Sequence, residues 1–294
     1  MGAVYKREMR AYMNNLYGWV SAAVILVVLG IMMFVINLNY GLADVAYAWS
    51  SGYSEYVLIL MIPILAMRSM AEDRKNKTEQ FYHTLPISTA SVVLGKYLAL
   101  LTAYAIPVCI LALYPLILNA FGNVNFPWAY TTILMYFLLG AALLAICMFL
   151  SSMTPHKLVA ALLGIVLSVA IYFSPVLLNY LPYTALMSYI CFVILALVIG
   201  VVAWLITRRG WVAGITAGAL LLPLTVWYVL DTTLSQGSFE GLFPFVMLLV
   251  SPFYQYEVVV QKGFLDLFSV SVLLSTAVLF VFLTIQSVNK RHEA

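Results

Sequence analysis

The stretch YGWVSAAVILVVLGIMMFVINL, residues 17–38, contains 22 residues without a single Asp, Glu, Lys or Arg. A helix needs about 20 apolar residues to cross the hydrocarbon of a bilayer, so this stretch can span it. It exceeds the core of a signal peptide and no small-residue cleavage site follows, so we expect it to remain as a span. Hydrophobic residues make up 65% of the chain, and the mean hydropathy is +1.04. Too few polar side chains remain to cover a water-soluble surface, which predicts an integral membrane protein.

Further apolar runs of similar length predict an all-α, polytopic fold with about eight transmembrane helices, in a single domain over residues 1–294. The second span is short, and we expect it to continue past Arg68 as a helix that leaves the membrane. The apolar run at residues 242–260 is broken by Pro244 and Pro252 and carries Glu257, which predicts re-entrant or interfacial helices. The predicted spans are residues 17–38, 53–67, 92–120, 130–150, 158–178, 185–206, 211–230 and 267–286.

The basic residues favour one orientation of these spans. With eight spans and a cytoplasmic N-terminus, 13 of the 14 Lys and Arg residues fall on the cytoplasmic side, and Lys262 alone falls outside. This is the positive-inside pattern, so both termini are predicted to be cytoplasmic and the protein to lie in the cell (inner, cytoplasmic) membrane. The net charge of +3 then reflects loops that face anionic lipid, and it does not indicate a nucleic-acid partner.

Residues 1–16 are predicted to form a helix that rests in the inner membrane interface. Lys6, Arg7 and Arg10 lie on one side of this helix, whereas Tyr5 and Tyr12 belong to an apolar stripe on the other side. This division is typical of a helix that lies in the plane of the membrane surface. The alternative is a basic flank that only sets the topology.

The stretch AEDRKNKTEQFYHTLPIS, residues 71–88, places charges of both signs in a long cytoplasmic loop, residues 69–91. Good helix formers predict a helix over residues 71–82, and Ser88 is placed to cap the next helix, which enters the membrane at Lys96. A surface of mixed charge suits a protein partner better than a lipid surface. We therefore predict a protein docking site in this loop, the alternative being a solvated loop.

Three parts of the chain together resemble type 2 ABC exporter permeases, the membrane subunits of ATP-driven transporters. PILAMR (residues 63–68), the charged stretch, Leu85-Pro86 and Gly95-Lys96 are similar to the second-span exit and following loop of that family. The segment that begins SPFYQYEVVV, residues 251–292, looks like the end of the gliding-motility subfamily of these permeases. The opening KREMRAYMNN resembles the interface helix of the family.

The resemblance implies a permease subunit that pairs with a second permease copy or paralogue and with two ATP-binding subunits. ATP and Mg would bind to those subunits, and this chain would bind no cofactor. The loop helix would be the coupling helix, and an extracytoplasmic accessory protein could be a further partner. The chain departs from the family in Asn76-Lys77-Thr78 and in the extra pair of spans, residues 185–230. The residues expected to contact the ATP-binding subunits are Glu72, Asp73, Arg74, Lys75, Thr78, Glu79, Phe81, Leu85 and Pro86.

The sequence carries no pattern for catalysis or for a resident metal. Gly95-Lys96 is followed by Tyr97 and lacks the earlier glycine that a phosphate-binding loop needs. The three His residues lack ligand spacing, and the three Cys residues lie in apolar runs. No charged residue is expected in the middle of a span, which disfavours intramembrane proteolysis and ion-coupled transport. We therefore predict a transport subunit that is not an enzyme, with no catalytic, cofactor or metal residues.

Two functions remain open at this point. The resemblance implies ATP-driven export, and the low charge of the spans favours an amphiphilic or apolar substrate. The alternative is a non-transporting membrane anchor that couples an ATPase to an extracytoplasmic partner through the outer loop, residues 231–266. Charge reversal at Glu72 and Asp73, or Glu79→Lys, is expected to weaken ATPase association, and changes at Lys157 or Arg208 are expected to matter less.

Overall fold

The computed structural model describes residues 1–38, 49, 52–76, 88–120, 122–180, 183–207, 210–234 and 237–292. Within these ranges the regular structure is helical throughout, which confirms the all-α class. The α-helices are α1 (Gly2–Asn14), α2 (Leu16–Met32), α3 (Tyr53–Ala66), α4 (Ala71–Lys75), α5 (Thr89–Leu111), α6 (Tyr114–Leu118), α7 (Phe126–Met153), α8 (Lys157–Asn179), α9 (Ala185–Thr207), α10 (Gly210–Leu234), α11 (Leu242–Val250), α12 (Pro252–Lys262) and α13 (Leu267–His292). A π-helical segment, Met33–Leu38, continues α2.

Six helical segments in the described residues are long and apolar enough to cross a membrane. They coincide with the first five predicted spans and the last one. The second segment extends past Arg68, as the sequence predicts, but a turn over residues 67–70 interrupts its helix. Ser88 caps α5 by accepting a hydrogen bond from the backbone N–H of Ser91, also as predicted. The six segments are Gly18–Asn37, Tyr53–Lys75, Thr89–Leu118, Phe126–Met153, Lys157–Leu178 and Leu267–Lys290.

The other two predicted spans and the broken apolar run are also helical. In α9 and α10 the apolar stretches measured in the described residues, Ala185–Leu197 and Gly218–Thr233, are shorter than the other six. The run at residues 242–260 forms two helices, and the break falls at Ser251, immediately before Pro252. A residue before proline is disfavoured in helical conformation, which explains the position of the break. Counting this pair as one broken span brings the total to seven.

The chain divides into two compact units, of which the first comprises Met1–Tyr172 and Pro252–Ala294. Its centre is α7, which packs against α3, α5, α12 and α13. The Tyr104 ring of α5 lies directly over Gly140 of α7, where an added Cβ would stand 2.3 Å from the ring. The Tyr104 hydroxyl donates to the backbone oxygen of Tyr136 at 2.9 Å. A glycine is therefore required at this helix crossing, because a larger side chain would occupy the space of the ring.

The N-terminal helix α1 lies along α5. At Gly95 an added Cβ would stand 3.2 Å from the Val4 side chain and 3.2 Å from the Met1 backbone oxygen. Val4 and Tyr12 are buried, whereas Lys6, Arg7 and Arg10 are exposed. The apolar side of α1 is thus partly used for packing against another helix. This contact brings α1 next to the end of α3 and the start of α4, where the charged residues meet.

The second unit comprises Phe173–Ser251 and contains α9, α10 and α11. Phe239 is fully buried in it, with ring contacts to Phe192, Trp227 and Tyr228 at 5.6 to 6.2 Å between ring centroids. Asp231 accepts hydrogen bonds from the backbone N–H groups of Ser238 and Phe239, at 2.9 and 3.1 Å. These bonds tie Ser238 and Phe239 to α10 and keep Phe239 in its aromatic surroundings.

Candidate functional site

A group of charged side chains meets around Lys96, a residue that is only 2% exposed. Its Nζ lies 2.7 Å from Oδ2 of Asp73, 3.2 Å from Oε1 of Glu8 and 2.5 Å from the backbone oxygen of Ser69. Arg7 adds a second cation, 2.6 Å from Glu8 and 3.7 Å from Asp73. We call Arg7, Glu8, Asp73 and Lys96 the Lys96 cluster. A buried ammonium needs such partners, since desolvating an unpaired charge is costly.

The Lys96 cluster joins three separate parts of the chain. Arg7 and Glu8 come from α1, Asp73 from α4, and Lys96 from the first turns of α5. Because α5 continues into the membrane, a charge near its start can hold both α1 and α4 against the same span. The cluster therefore fixes α4, at the start of the cytoplasmic loop, relative to α1 and α5.

Glu72 belongs to a neighbouring pair of contacts on the other side of α4. It forms an ion pair with Arg68 one turn earlier and lies 3.1 Å from Nζ of Lys157 at the start of α8. Both partners are partly exposed, so each pair contributes on the order of 1 kcal/mol or less by itself. Their structural effect is to orient α4 between α3 and α8.

The end of α7 anchors α4 by hydrogen bonds. The Ser151 hydroxyl oxygen accepts from the backbone N–H groups of Met70 and Ala71, at 3.3 and 3.1 Å, and donates to the backbone oxygen of Met67 at 3.0 Å. Arg74 donates to the backbone oxygen of Met153 at 2.6 Å, at the end of α7. Thus Ser151 satisfies the first N–H groups of a short helix that has no side-chain cap at its N-terminal residue.

A pocket of about 240 Å³ opens beside the Lys96 cluster, lined by the cluster itself together with Tyr12, Arg68, Glu72 and Asn76 among others. Burial, together with the nearby Glu8 carboxylate, raises the pKa of the Tyr12 hydroxyl above its ordinary value, which keeps this group neutral. Positive and negative groups are balanced around this pocket. That balance suits a protein surface of mixed charge better than an isolated anion or cation.

The predicted contact residues fall into three groups. Glu72, Asp73 and Arg74 are half-buried and take part in the intramolecular contacts above, whereas Lys75 is exposed. Thr78, Glu79, Phe81, Leu85 and Pro86 lie outside the described residues. The structure therefore assigns a second, internal role to the first three residues, and docking on this loop stays a prediction.

Five residues that complete this site were not among the predicted site residues: Glu8, Arg68, Lys96, Ser151 and Lys157. Lys96 had a signal in the sequence, because it is a lysine at the start of an apolar run that also carries Gly95. Glu8 and Ser151 had none, since an acid in an amphipathic helix and a serine near the end of a span are ordinary. Lys157 was expected to matter little for docking, yet it pairs with Glu72.

Comparison with known proteins agrees with this architecture. Residues 25–211 match the family model described as "ABC-2 family transporter protein". None of the curated proteins matches the chain. The match covers more than half of the chain and includes α3, α4, α5, α7 and α8, the helices around the candidate site apart from α1. The protein therefore belongs to the ABC-2 transporter family and is a multi-pass membrane permease subunit.

Proposed function

We propose that this chain is the permease of an ATP-driven exporter, coupled through residues 69–91 to two separate ATP-binding subunits and completed by a second permease copy or paralogue. Family membership supports the permease role. The Lys96 cluster carries the coupling part of the proposal, because it connects the start of this loop to α1 and α5 through charged contacts of 2.6 to 3.7 Å.

In this mechanism a force applied to α4 moves several helices together. Lys96 holds Asp73 of α4 and Glu8 of α1 at the same point, so displacement of α4 carries both α1 and α5. Ser151 and Arg74 hold α4 to the end of α7, the central helix of the first unit. ATP-driven closure of the partner subunits would press on the loop, and the packed helices would transmit the displacement as rigid bodies.

The substrate proposed is amphiphilic or apolar, such as a lipid or a hydrophobic peptide. The six span segments carry few charged residues, and those in the described part concentrate at the segment ends. A cavity between such helices would offer apolar contacts and little to compensate a fixed charge.

The pattern of basic residues supports a chain that lies in the cell membrane with both termini in the cytoplasm. Residues 251–292 resemble the C-terminal segment of the gliding-motility subfamily, and we propose that the chain belongs with that subfamily.

The coupling proposal is tested by recovering partner proteins with the detergent-solubilised permease. The pair Glu72→Arg/Asp73→Arg changes docking and internal ion pairs together, so we add Lys75→Glu. Lys75 is exposed and forms no ion pair within the described residues, so its reversal leaves the fold intact. We expect an ATP-binding subunit to be recovered with the wild-type protein and to be strongly reduced with Lys75→Glu.

The matched control is Lys262→Glu, a charge reversal on the side of the membrane predicted to face away from the ATP-binding subunits. It should leave the recovery unchanged. Equal recovery of the ATP-binding subunit with wild type and both Lys75→Glu and Glu72→Arg/Asp73→Arg would place the docking surface elsewhere. Recovery of no ATP-binding subunit with any form would contradict the coupling proposal.

The second candidate function is the non-transporting anchor, and two features of the second compact unit, residues 173–251, favour it. Asp231 of α10 accepts hydrogen bonds from the backbone N–H groups of Ser238 and Phe239. A pocket of about 420 Å³ lies nearby, lined by Tyr183, Glu240 and Phe245 among others. Tyr183 and Phe245 are exposed aromatic residues, which are common at protein interfaces. Stimulation of ATP hydrolysis by an extracytoplasmic protein, and by no lipid or hydrophobic peptide, would favour the anchor over the exporter.

A further inference from the structure

At the end of α3 opposite to the Lys96 cluster, Glu55 is a carboxylate with a residue exposure of only 6%. It lies in the first turn of α3, where the helix dipole favours a negative charge. The helix explains an acidic residue at this position but not its burial. No described residue donates a hydrogen bond to this carboxylate or forms an ion pair with it. Buried carboxylates are ordinarily paired, so the missing counter-charge needs an explanation.

A second carboxylate belongs to the same region: the Tyr256 hydroxyl, next to Glu257 in α12, lies 3.5 Å from the hydroxyl of Ser54, the residue before Glu55. Glu257 of α12 is exposed, and its charge repels that of Glu55. Gln261 donates to Glu257 at 2.8 Å, which orients this side chain without neutralising it. Residues 39–51, which precede α3 in the sequence, contain no Lys or Arg that could balance the two charges. Lys262, the one basic residue of α12, forms no ion pair within the described residues.

Aromatic rings connect α3, α8 and α12 in the region of these carboxylates. The Tyr172 hydroxyl of α8 donates to the Tyr56 hydroxyl at 3.3 Å, and their ring centroids are 5.2 Å apart. Phe253 of α12 packs edge-on against Tyr172 at 5.3 Å. Tyr56 is half exposed, so the group is open on one side.

We propose that Glu55, Glu257, Tyr56 and Tyr172 form a binding site for an organic cation that carries an ammonium group. Carboxylates supply the opposite charge, and the faces of aromatic rings attract ammonium groups, most strongly where water is excluded. A metal ion fits less well, because it prefers more oxygen ligands than two carboxylates provide. No group of three or more His, Cys, Asp or Glu side chains suitable for a metal was found in the described residues.

This site is independent of the coupling proposed above. Its residues belong to the first turn of α3, to α8 and to α12, and none of them belongs to the cytoplasmic loop, residues 69–91. It concerns binding, and transport of the bound cation is a separate measurement. The ammonium group could belong to a soluble molecule or to a lipid headgroup, because both present the same chemistry. The experiment below separates the two sources.

The test is equilibrium binding of radiolabelled choline to the full chain in phosphatidylglycerol nanodiscs. Choline is compared with 3,3-dimethylbutan-1-ol, which has the same shape and no charge. We expect the wild-type protein to bind choline and the neutral compound not to compete. Glu55→Gln should weaken binding at least about tenfold, since it removes the buried opposite charge. Glu293→Gln, which removes an acid of the C-terminal tail on the opposite, predicted cytoplasmic side, is the control and should leave binding unchanged.

Glu257→Gln is a second test variant that should fold normally, because Glu257 is exposed and its replacement disturbs no buried contact. It should weaken choline binding several-fold in a protein of normal stability. Repeating the wild-type measurement in phosphatidylcholine nanodiscs identifies the source: a weaker apparent affinity indicates occupancy by the lipid headgroup, and an equal affinity indicates a soluble ligand. Absence of choline binding, equal competition by the neutral compound, or unchanged binding by both variants would overturn the site.

Discussion

Lys96→Met removes the central cation of the Lys96 cluster while preserving most of the side-chain length. The Lys96 side chain is 3% exposed, and those of Glu8 and Asp73 are 12% and 17% exposed. Removing one partner of a buried ion pair costs about 3–5 kcal/mol, because the remaining charge stays desolvated. Arg7 keeps its 2.6 Å contact with Glu8, so we take the lower value, about 3 kcal/mol.

This loss should appear mainly as local opening of α1 and α4, the elements that the cluster holds to α5. A change of about 3 kcal/mol corresponds to roughly a 100-fold change in an opening equilibrium, since 1.4 kcal/mol is a factor of ten. We therefore expect backbone amides of α1 to lose about 100-fold in hydrogen-exchange protection, measured by mass spectrometry in nanodiscs. Amides in the middle of α7 should change far less.

The matched control is Lys75→Met, which removes an exposed lysine from the cytoplasmic loop, residues 69–91, and should leave the amides of α1 protected. The double variant Asp73→Asn/Lys96→Met should cost less than the sum of the single changes, because the two groups interact directly. Protection of α1 that is the same in Lys96→Met and in the wild-type protein would show that the cluster does not hold this helix. The coupling mechanism would then lose its physical basis.

Two further changes test the packing that supports the site. Gly140→Ala should lower stability by about 1–3 kcal/mol, because its Cβ would stand 2.3 Å from the Tyr104 ring. Gly214→Ala is its control and should leave stability unchanged or raise it slightly, since nothing described lies within 4 Å of an added Cβ there and alanine favours a helix more than glycine does. Equal melting temperatures for both variants would contradict the close crossing. Ser151→Ala should lower stability by about 1–3 kcal/mol by leaving two N–H groups at the start of α4 without their acceptor. Ser275→Ala, whose hydroxyl bonds only within its own helix, should change the melting temperature little, and the same small change for Ser151→Ala would show that water replaces the serine.

Much of the architecture follows from the sequence alone. Six predicted spans agree with the helices to within a few residues, because the length of an apolar run directly reflects the thickness of the membrane core. The break before Pro252 and the cap at Ser88 are local effects of single residues, and both were predictable. Likewise, the family resemblance rested on short motifs, and the match over residues 25–211 confirms it at the level of the ABC-2 family.

The candidate site was predicted only in part. The sequence marked Glu72 and Asp73 as unusual, since charges are rare in this chain, and it assigned them to contact with a partner. It gave no sign that Asp73 meets Lys96 and Glu8, or that Glu72 meets Lys157. Ion pairs between distant residues depend on how helices cross, and no periodicity in the sequence records those crossings.

The amino-acid sequence by itself determined that this protein is a helical membrane protein, where most of its helices begin and end, and to which family it belongs. These properties depend on local composition, because each helix satisfies its own backbone hydrogen bonds and lipid demands an apolar surface. Only the tertiary structure decided which charges are paired and which, like Glu55, are left without a partner in the described residues. The packing of α1, α5 and α7 sets those distances, and the strength of an electrostatic interaction depends on distance and burial.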